Sequence, residues 1–324
     1  MDIYVKKAII HQFSPDDTDL YLADKFLNIT PKIEEYLRKK IERVYSDEAR
    51  TGIFEEDNPF LEMISDDLLE TSVAVANRWK EEFVVSENQK TNDLVFIQFS
   101  KEGVDHFAFL RIALRETLTH LGDEVDNPIK LTQNNLPGFG TGADEALVIN
   151  LQSRKYHLIE KRIKYNGTFL NYFSENLLQA QPKISPKKSI KALEKTAQKI
   201  AESFNTDDFQ FQSKVKTAIF NHIEEENKLS PEKLADDLFD DNLTARLSFI
   251  DQVKEAVPEP VTFEEIDASR QLKKFENQKL SLSNGIELIV PNNVYEDAES
   301  VEFILNDNGT YSIFIKNIED IQSK

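Results

Sequence analysis

Four lysines stand four residues apart in this chain: Lys187, Lys191, Lys195 and Lys199. An α-helix turns about 100° per residue, so each step of four drifts only about 40°. All four therefore share one broad side over three turns, while Ile190, Leu193, Ala197 and Ile200 fall on the other. Ammonium groups in a row on a rigid helix suit a phosphate backbone, where each contact releases condensed counterions. The same spacing also describes the solvated face of an ordinary amphipathic helix.

The cations extend beyond the row. Lys183 and Lys188 bring residues 182–199 to six lysines against one acid, Glu194. Widening the window to 154–199 adds Arg154, Lys155, Lys161, Arg162 and Lys164, for eleven cations against Glu160, Glu175 and Glu194. That window is net +8 in a chain of net −19, so the remainder carries −27. The field of the whole chain repels phosphate. Screening over about 8 Å at physiological salt lets a local patch act on its own. These eleven residues are the expected DNA-binding set.

Other constellations are weaker. Gly138, Gly140 and Gly142 suggest a phosphate loop, but the run leads into the strand-like "ALVIN" and lacks the Lys of a Walker loop, so a flexible connection is expected. Glu224 to Glu226 and Asp236, Asp237, Asp240 and Asp241 could attract a hard cation. The i, i+4 spacing of Asp236 and Asp237 with Asp240 and Asp241 is that of a solvated helix face, and "LSPEKLADDLF" is too acidic to read DNA as a helix-turn-helix. Five His show no metal-binding spacing, and His11, His106 and His157 lie in strand-like runs that make them structural. Zero Cys excludes thiol catalysis and disulfides. No catalytic residue, metal or cofactor is assigned.

These groups need elements to hold them. "VKKAIIHQF" and "DLYLAD" read as strand, turn and strand; Thr30-Pro31 opens a helix, and Asn58-Pro59 opens a second that runs to Phe83. "DLVFIQF" and "HFAFLRIAL" flank Gly103 as a hairpin, and "EALVINL" with "RKYHLIEKRI" as another. Ser185-Pro186, Ser230-Pro231 and the stretch from Leu243 to Val257 give three helices, and Pro258 and Pro260 mark a boundary. Two Asn-Gly pairs, at 284–285 and 308–309, predict hairpins with type I′ turns. In the last hairpin Val301, Phe303, Leu305, Tyr311, Ile313 and Ile315 should be buried, against another domain or a second copy, so a homodimer is expected. The fold class is α+β: an antiparallel sheet with packed helices (1–165), a helical middle region (166–257) and a small β-hairpin C-terminal segment (258–324).

No apolar run reaches 18 residues and the start lacks a signal-peptide h-region, so no membrane partner and a cytoplasmic location are expected. The run "VKKAIIHQFSPDDTDLYLADKFLNITPKIEEYLRKKIERVYSDEARTGIF", with its Ile-His-Gln strand, Leu-x-Leu-x-Asp strand and Arg-Val-Tyr-Ser helix end, resembles the bacterial 37-kDa nucleoid-associated proteins, the NdpA/YejK-like family. "NYFSENLLQAQPKISPKKSIKALEKTAQKI" is similar to that family's central segment, and the mass of 37.3 kDa agrees. The resemblance implies a cytoplasmic protein at the nucleoid that binds DNA or DNA-acting proteins, without assigned catalytic residues. Nonenzymatic, nonspecific DNA binding is the first expectation. An acidic adaptor that reaches the nucleoid through a DNA-acting enzyme is the second, and a nuclease or nucleotide-processing enzyme the third.

Overall fold

The computed structural model describes residues 1–16, 19–83, 90–120, 129–205, 209–263 and 265–322. The chain divides into two compact units, Met1–Ser185 and Pro186–Lys324. The first unit opens with β1 (Ile3–Ser14), β2 (Asp19–Tyr21), α1 (Pro31–Val44), β3 (Arg50–Ile53), α2 (Pro59–Glu62) and α3 (Leu68–Phe83). It continues with β4 (Asn92–Lys101), β5 (Val104–Ala113), β6 (Arg115–His120), β7 (Ile129–Asn135), β8 (Glu145–Asn150) and β9 (Lys155–Ile159). A small hairpin, β10 (Ile163–Tyr165) with β11 (Thr168–Leu170), and a π-helical turn, Phe173–Leu177, complete it.

Seven strands form one antiparallel sheet in the order β2-β1-β4-β5-β8-β9-β3. Helix α1 covers one face, where Leu37, Ile41 and Val44 meet Val95, Ile97, Leu110 and Val148. Helix α3 and the π-helical turn cover the other, where Trp79, Phe83, Tyr172 and Phe173 meet Phe96, Phe109 and Leu147. Burial on both faces is why β4, β5 and β8 read as continuous apolar runs instead of alternating ones. Strand β1 changes parity partway: Ile3, Val5 and Ala8 face the α1 side, and Ile9 and Phe13 the α3 side. A register irregularity between Val5 and Lys7 inserts the extra residue that makes this switch.

The caps behave as their residue types demand. Thr30 Oγ1 accepts from the Ile33 amide at 3.4 Å, and Asn58 Oδ1 from the Phe60 amide at 2.9 Å. The helix expected from Asn58 to Phe83 is two helices. Ser65 and Asp67 divert it, because Asp67 Oδ1 accepts from the Leu69 amide at 2.8 Å and Ser65 Oγ from the Asp67 amide at 3.2 Å. Short polar side chains there offer the backbone an alternative to the helical ladder.

The second unit holds α4 (Pro186–Ser203), α5 (Phe209–Glu226), β12 (Lys228–Leu229), α6 (Pro231–Leu238), α7 (Leu243–Lys254), β13 (Val261–Thr262) and α8 (Glu265–Phe275). Then follow β14 (Asn277–Ser281), β15 (Glu287–Pro291), α9 (Asn292–Tyr295), β16 (Val301–Leu305) and β17 (Tyr311–Ile315). Leu193, Ala197, Ile219, Ile223, Leu234, Phe249 and Val253 form its core. Both Asn-Gly hairpins form, β14 with β15 and β16 with β17. Their turns are not type I′: only Gly285 and Gly309 have positive φ, at 87° and 80°. The Gly285 amide donates to Leu282 O and the Gly309 amide to Asn306 O, a type I turn closed by a left-handed glycine. The fold is mixed α+β, and among the described residues no helix is long and apolar enough to cross a membrane.

Candidate nucleic-acid interface

Helix α4 buries Ser189, Ile190, Leu193, Ala197, Ile200 and Ala201 on one side. Lys187 on the opposite side is half-buried, and Lys188, Lys191, Lys195 and Lys199 are exposed. At about 100° per residue, Lys188 falls between Lys195 and Lys199 in projection, so all five occupy an arc of about 120° and a length of about 18 Å. Lys188, Lys191 and Lys195 make no hydrogen bond or ion pair among the described residues. Lys199 Nζ donates to a neutral acceptor, Gln252 Oε1, at 3.1 Å. Burial pushes the Glu194 carboxyl up, against the pull of Lys216 and Lys191. Glu202 Oε1, at the end of the row, accepts from Gln198 Nε2 at 3.2 Å.

The other six expected cations lie in the first unit and are dispersed there. Arg154 sits in the left-handed region (φ 60°) between β8 and β9, and its guanidinium pairs with Glu56 at 3.0 Å. Lys161 pairs with Asp144 at 2.6 Å. Arg162 Nε donates to Asn171 Oδ1 at 3.4 Å. Lys155 on β9 and Lys164 on β10 are exposed. Lys183 is exposed as well, and its amide donates to Thr51 O at 2.7 Å, along the free edge of β3. Segregation of charge along the chain is thus not segregation in space, because Glu56 and Asp144 come from distant segments. Lys216 on α5, beside Glu194, lay outside the counted window for the same reason.

Several acids of α5, α6 and the turn after α6 are held in ion pairs. Asp236 binds Arg246 at 2.8 Å, Asp240 binds Lys214 at 3.1 Å, and Glu226 binds Lys233. His222 Nε2 lies 2.6 Å from Asp237 Oδ2, on the wall of a cavity of about 490 Å³. Among the described residues no group of three or more His, Asp or Glu is placed to hold a metal ion.

The glycine-rich connection is clamped. The fully buried Lys40 of α1 donates from Nζ to the carbonyls of Pro137 (3.3 Å), Gly138 (2.9 Å) and Thr141 (2.5 Å), over the ring of Tyr36. Carbonyls gathered around a cation are the reverse of the amide nest that a phosphate requires. His11 and His106 are buried in β1 and β5. The Ala23 amide donates to His11 Nδ1 at 3.1 Å, so Nε2 carries the proton toward Ser72 Oγ at 2.9 Å.

A comparison with curated proteins gives no match. Against family models, residues 9–321 match the one described as nucleoid-associated protein YejK, which takes in the sheet from Ile9 of β1 onward, the basic helix and both C-terminal hairpins. The chain belongs to the nucleoid-associated protein YejK family.

Proposed function

We propose that this chain binds the DNA phosphate backbone nonspecifically and without catalysis, through the exposed face of α4. The observation that supports the reading best is the arc of five lysines in which Lys188, Lys191 and Lys195 make no hydrogen bond or ion pair among the described residues, Glu194 near Lys191 being the one acid on the helix that acts on the row. A cation already bound to a carboxylate must break that pair to reach phosphate; these three need not. Lys155, Lys164 and Lys183 are exposed but each already interacts with another group of the chain. Arg154 and Lys161 would first have to release Glu56 and Asp144.

Salt dependence tests the proposal. Three to five phosphate contacts imply a slope of log K against log salt of about −2.7 to −4.5 on duplex DNA. Changing Lys188, Lys191 and Lys195 together to Gln should weaken binding equally for unrelated sequences and flatten the slope by about 2.7. A variant that binds as tightly as the wild type with the same slope removes α4 from the interface. Cleavage of the labelled duplex with added divalent metal would favour the nuclease reading instead.

A second reading, an acidic adaptor that contacts a DNA-acting protein, is supported by the ribbon β6–β7. Leu118 pairs across the strands with Leu131 and His120 with Ile129, so Leu118, Ile129 and Leu131 share one face, each more than half exposed. Such a face fits a protein surface better than a phosphate backbone. Absence of any DNA complex at low salt, with capture of a DNA-acting enzyme lost in Leu118→Ser/Leu131→Ser, would select this reading.

A further inference from the structure

A third Asn-Gly pair, Asn166-Gly167, closes the β10–β11 hairpin as a type I′ turn, with φ of 48° and 76° at its two central residues. Across the strands Ile163 pairs with Leu170, Lys164 with Phe169 and Tyr165 with Thr168. Successive side chains point to opposite sides, so the ribbon has two unlike faces. Ile163 and Leu170 turn one face into the core of the first unit. The other carries Lys164 and Phe169 and, one step further along, Arg162 and Asn171.

That outward face is built around one uncovered ring. Phe169 is 61% exposed, the most of any phenylalanine among the described residues, and its ring has no aromatic or cationic neighbour there. Exposed Phe26 and Phe139 differ, since Lys7 lies over the first and Tyr36 against the second. Tyr165 and Thr168 flank the turn as its hydrogen-bonded pair, which leaves Lys164 and Phe169 as the close pair, with Cα atoms about 4.5 Å apart. Arg162 lies on the diagonal, about 7–8 Å from Phe169. It makes no ion pair among the described residues, and its Nε rests on the neutral Asn171. The chain holds 58 acids in 324 residues, yet none lies between Glu160 and Glu175. Glu160 is buried against Arg50, and Glu175 accepts from Asn171 Nδ2 at 3.2 Å.

We infer that this face holds an unpaired base of single-stranded DNA, stacked on Phe169, with the adjoining phosphate on Arg162. Every base has a π-face, so stacking on a ring tolerates any sequence, and a guanidinium meets phosphate through two parallel N–H donors. Lys164 already interacts within the chain and is not needed for this contact. The composition of the face selects the occupant. The core of a protein interface is depleted of charge, whereas here one apolar ring stands among two cations and an amide. Membrane binding grows with buried apolar area, and a single ring supplies little. Opening a duplex step to admit a ring costs a few kcal/mol, a cost that an unpaired base does not carry. The site is separate from the α4 proposal, which concerns the duplex backbone and other residues.

Labelled oligothymidylate, titrated with the full-length protein at low salt, tests this. Phe169→Ala should weaken binding about 5- to 150-fold, the worth of one base on an aromatic side chain, and change duplex binding less than about twofold. Phe169→Leu, which keeps apolar bulk without a π-face, should lose as much, and Phe169→Trp should keep full affinity. Trp79 is fully buried, so in Phe169→Trp only the added indole should be quenched by unlabelled oligothymidylate. A wild type that does not bind oligothymidylate overturns the inference, as does undiminished binding by Phe169→Ala or full rescue by Phe169→Leu. So does quenching of Phe169→Trp by phosphatidylglycerol vesicles but not by oligothymidylate. The two DNA readings fail separately. A salt-dependent duplex complex with no role for Phe169 leaves α4 standing alone; oligothymidylate binding through Phe169 with no duplex complex leaves the hairpin standing alone.

Discussion

The ring of Tyr156 lies across Gly52, its direct cross-strand partner between β9 and β3. A Cβ at Gly52 would stand 2.8 Å from ring carbon Cε1 and closer still to the hydroxyl end. A strand glycine normally weakens a sheet, and here the aromatic ring covers the gap it leaves. Gly52→Ala should therefore destabilise the first unit by about 1–3 kcal/mol, the usual cost of overpacking. Urea unfolding measures this; an unchanged midpoint would show that the ring moves aside freely.

Arg111 and Glu145 are likewise direct partners, on β5 and β8, with Nε and Oε2 2.6 Å apart in the core. Arg111 Nη1 also donates to Asn92 Oδ1 at 2.8 Å, the Tyr172 hydroxyl donates to the same Glu145 oxygen, and Trp79 Nε1 donates to that hydroxyl at 3.0 Å. Removing one charge strands the other in an apolar core. Glu145→Gln should cost about 3–5 kcal/mol, whereas replacing both partners with Met should cost less than either single change. A double-mutant cycle by urea unfolding decides it; near-additive losses would mean the two groups are uncoupled.

Burial pushes the Lys40 ammonium down to about 8, yet its three carbonyl partners hold the loop 137–141 against α1. Lys40→Met keeps the apolar stem and leaves those carbonyls unpaired, at a cost of about 1–3 kcal/mol. Amide exchange around Gly138 to Ala143 should accelerate more than exchange in β4 and β5. Uniform acceleration would instead point to global destabilisation.

Burial lowers the pKa of His11 and of His106 below the ordinary 6.5. The unfolded chain then binds more protons than the folded one as pH falls through about 6.5, so stability is full above that value and declines below it. Thermal unfolding should show a lower midpoint at pH 5.5 than at 7.5. His11→Gln should shrink that difference; an unaltered difference would assign the effect to other groups.

Much of the fold was legible because its signals are local. The hairpins β4–β5 and β8–β9, the caps Thr30 and Asn58, and the apolar side of α4 each depend on residues within a few positions of one another. The broken helix after Asn58 was missed because Ser65 and Asp67 act through side-chain bonds that leave the apolar spacing intact. The turns at Gly285 and Gly309 were misread because Asn-Gly permits positive φ at both residues without compelling it.

What the sequence determined by itself is therefore the periodic and the local: strand runs, helix faces, turn positions, and a row of lysines on one side of α4. Only the tertiary structure decided which charges remain unpaired and which apolar strands remain uncovered. Arg50 of β3 meets Glu160 across 110 positions, and Glu56 and Asp144 reach Arg154 and Lys161 from segments with no local signal of the pairing. Leu305, Tyr311 and Ile315, apolar and alternating as a buried face should be, stay exposed within this chain. Alternation records which residues share a face of a strand, whereas burial depends on what the rest of the polypeptide places over that face.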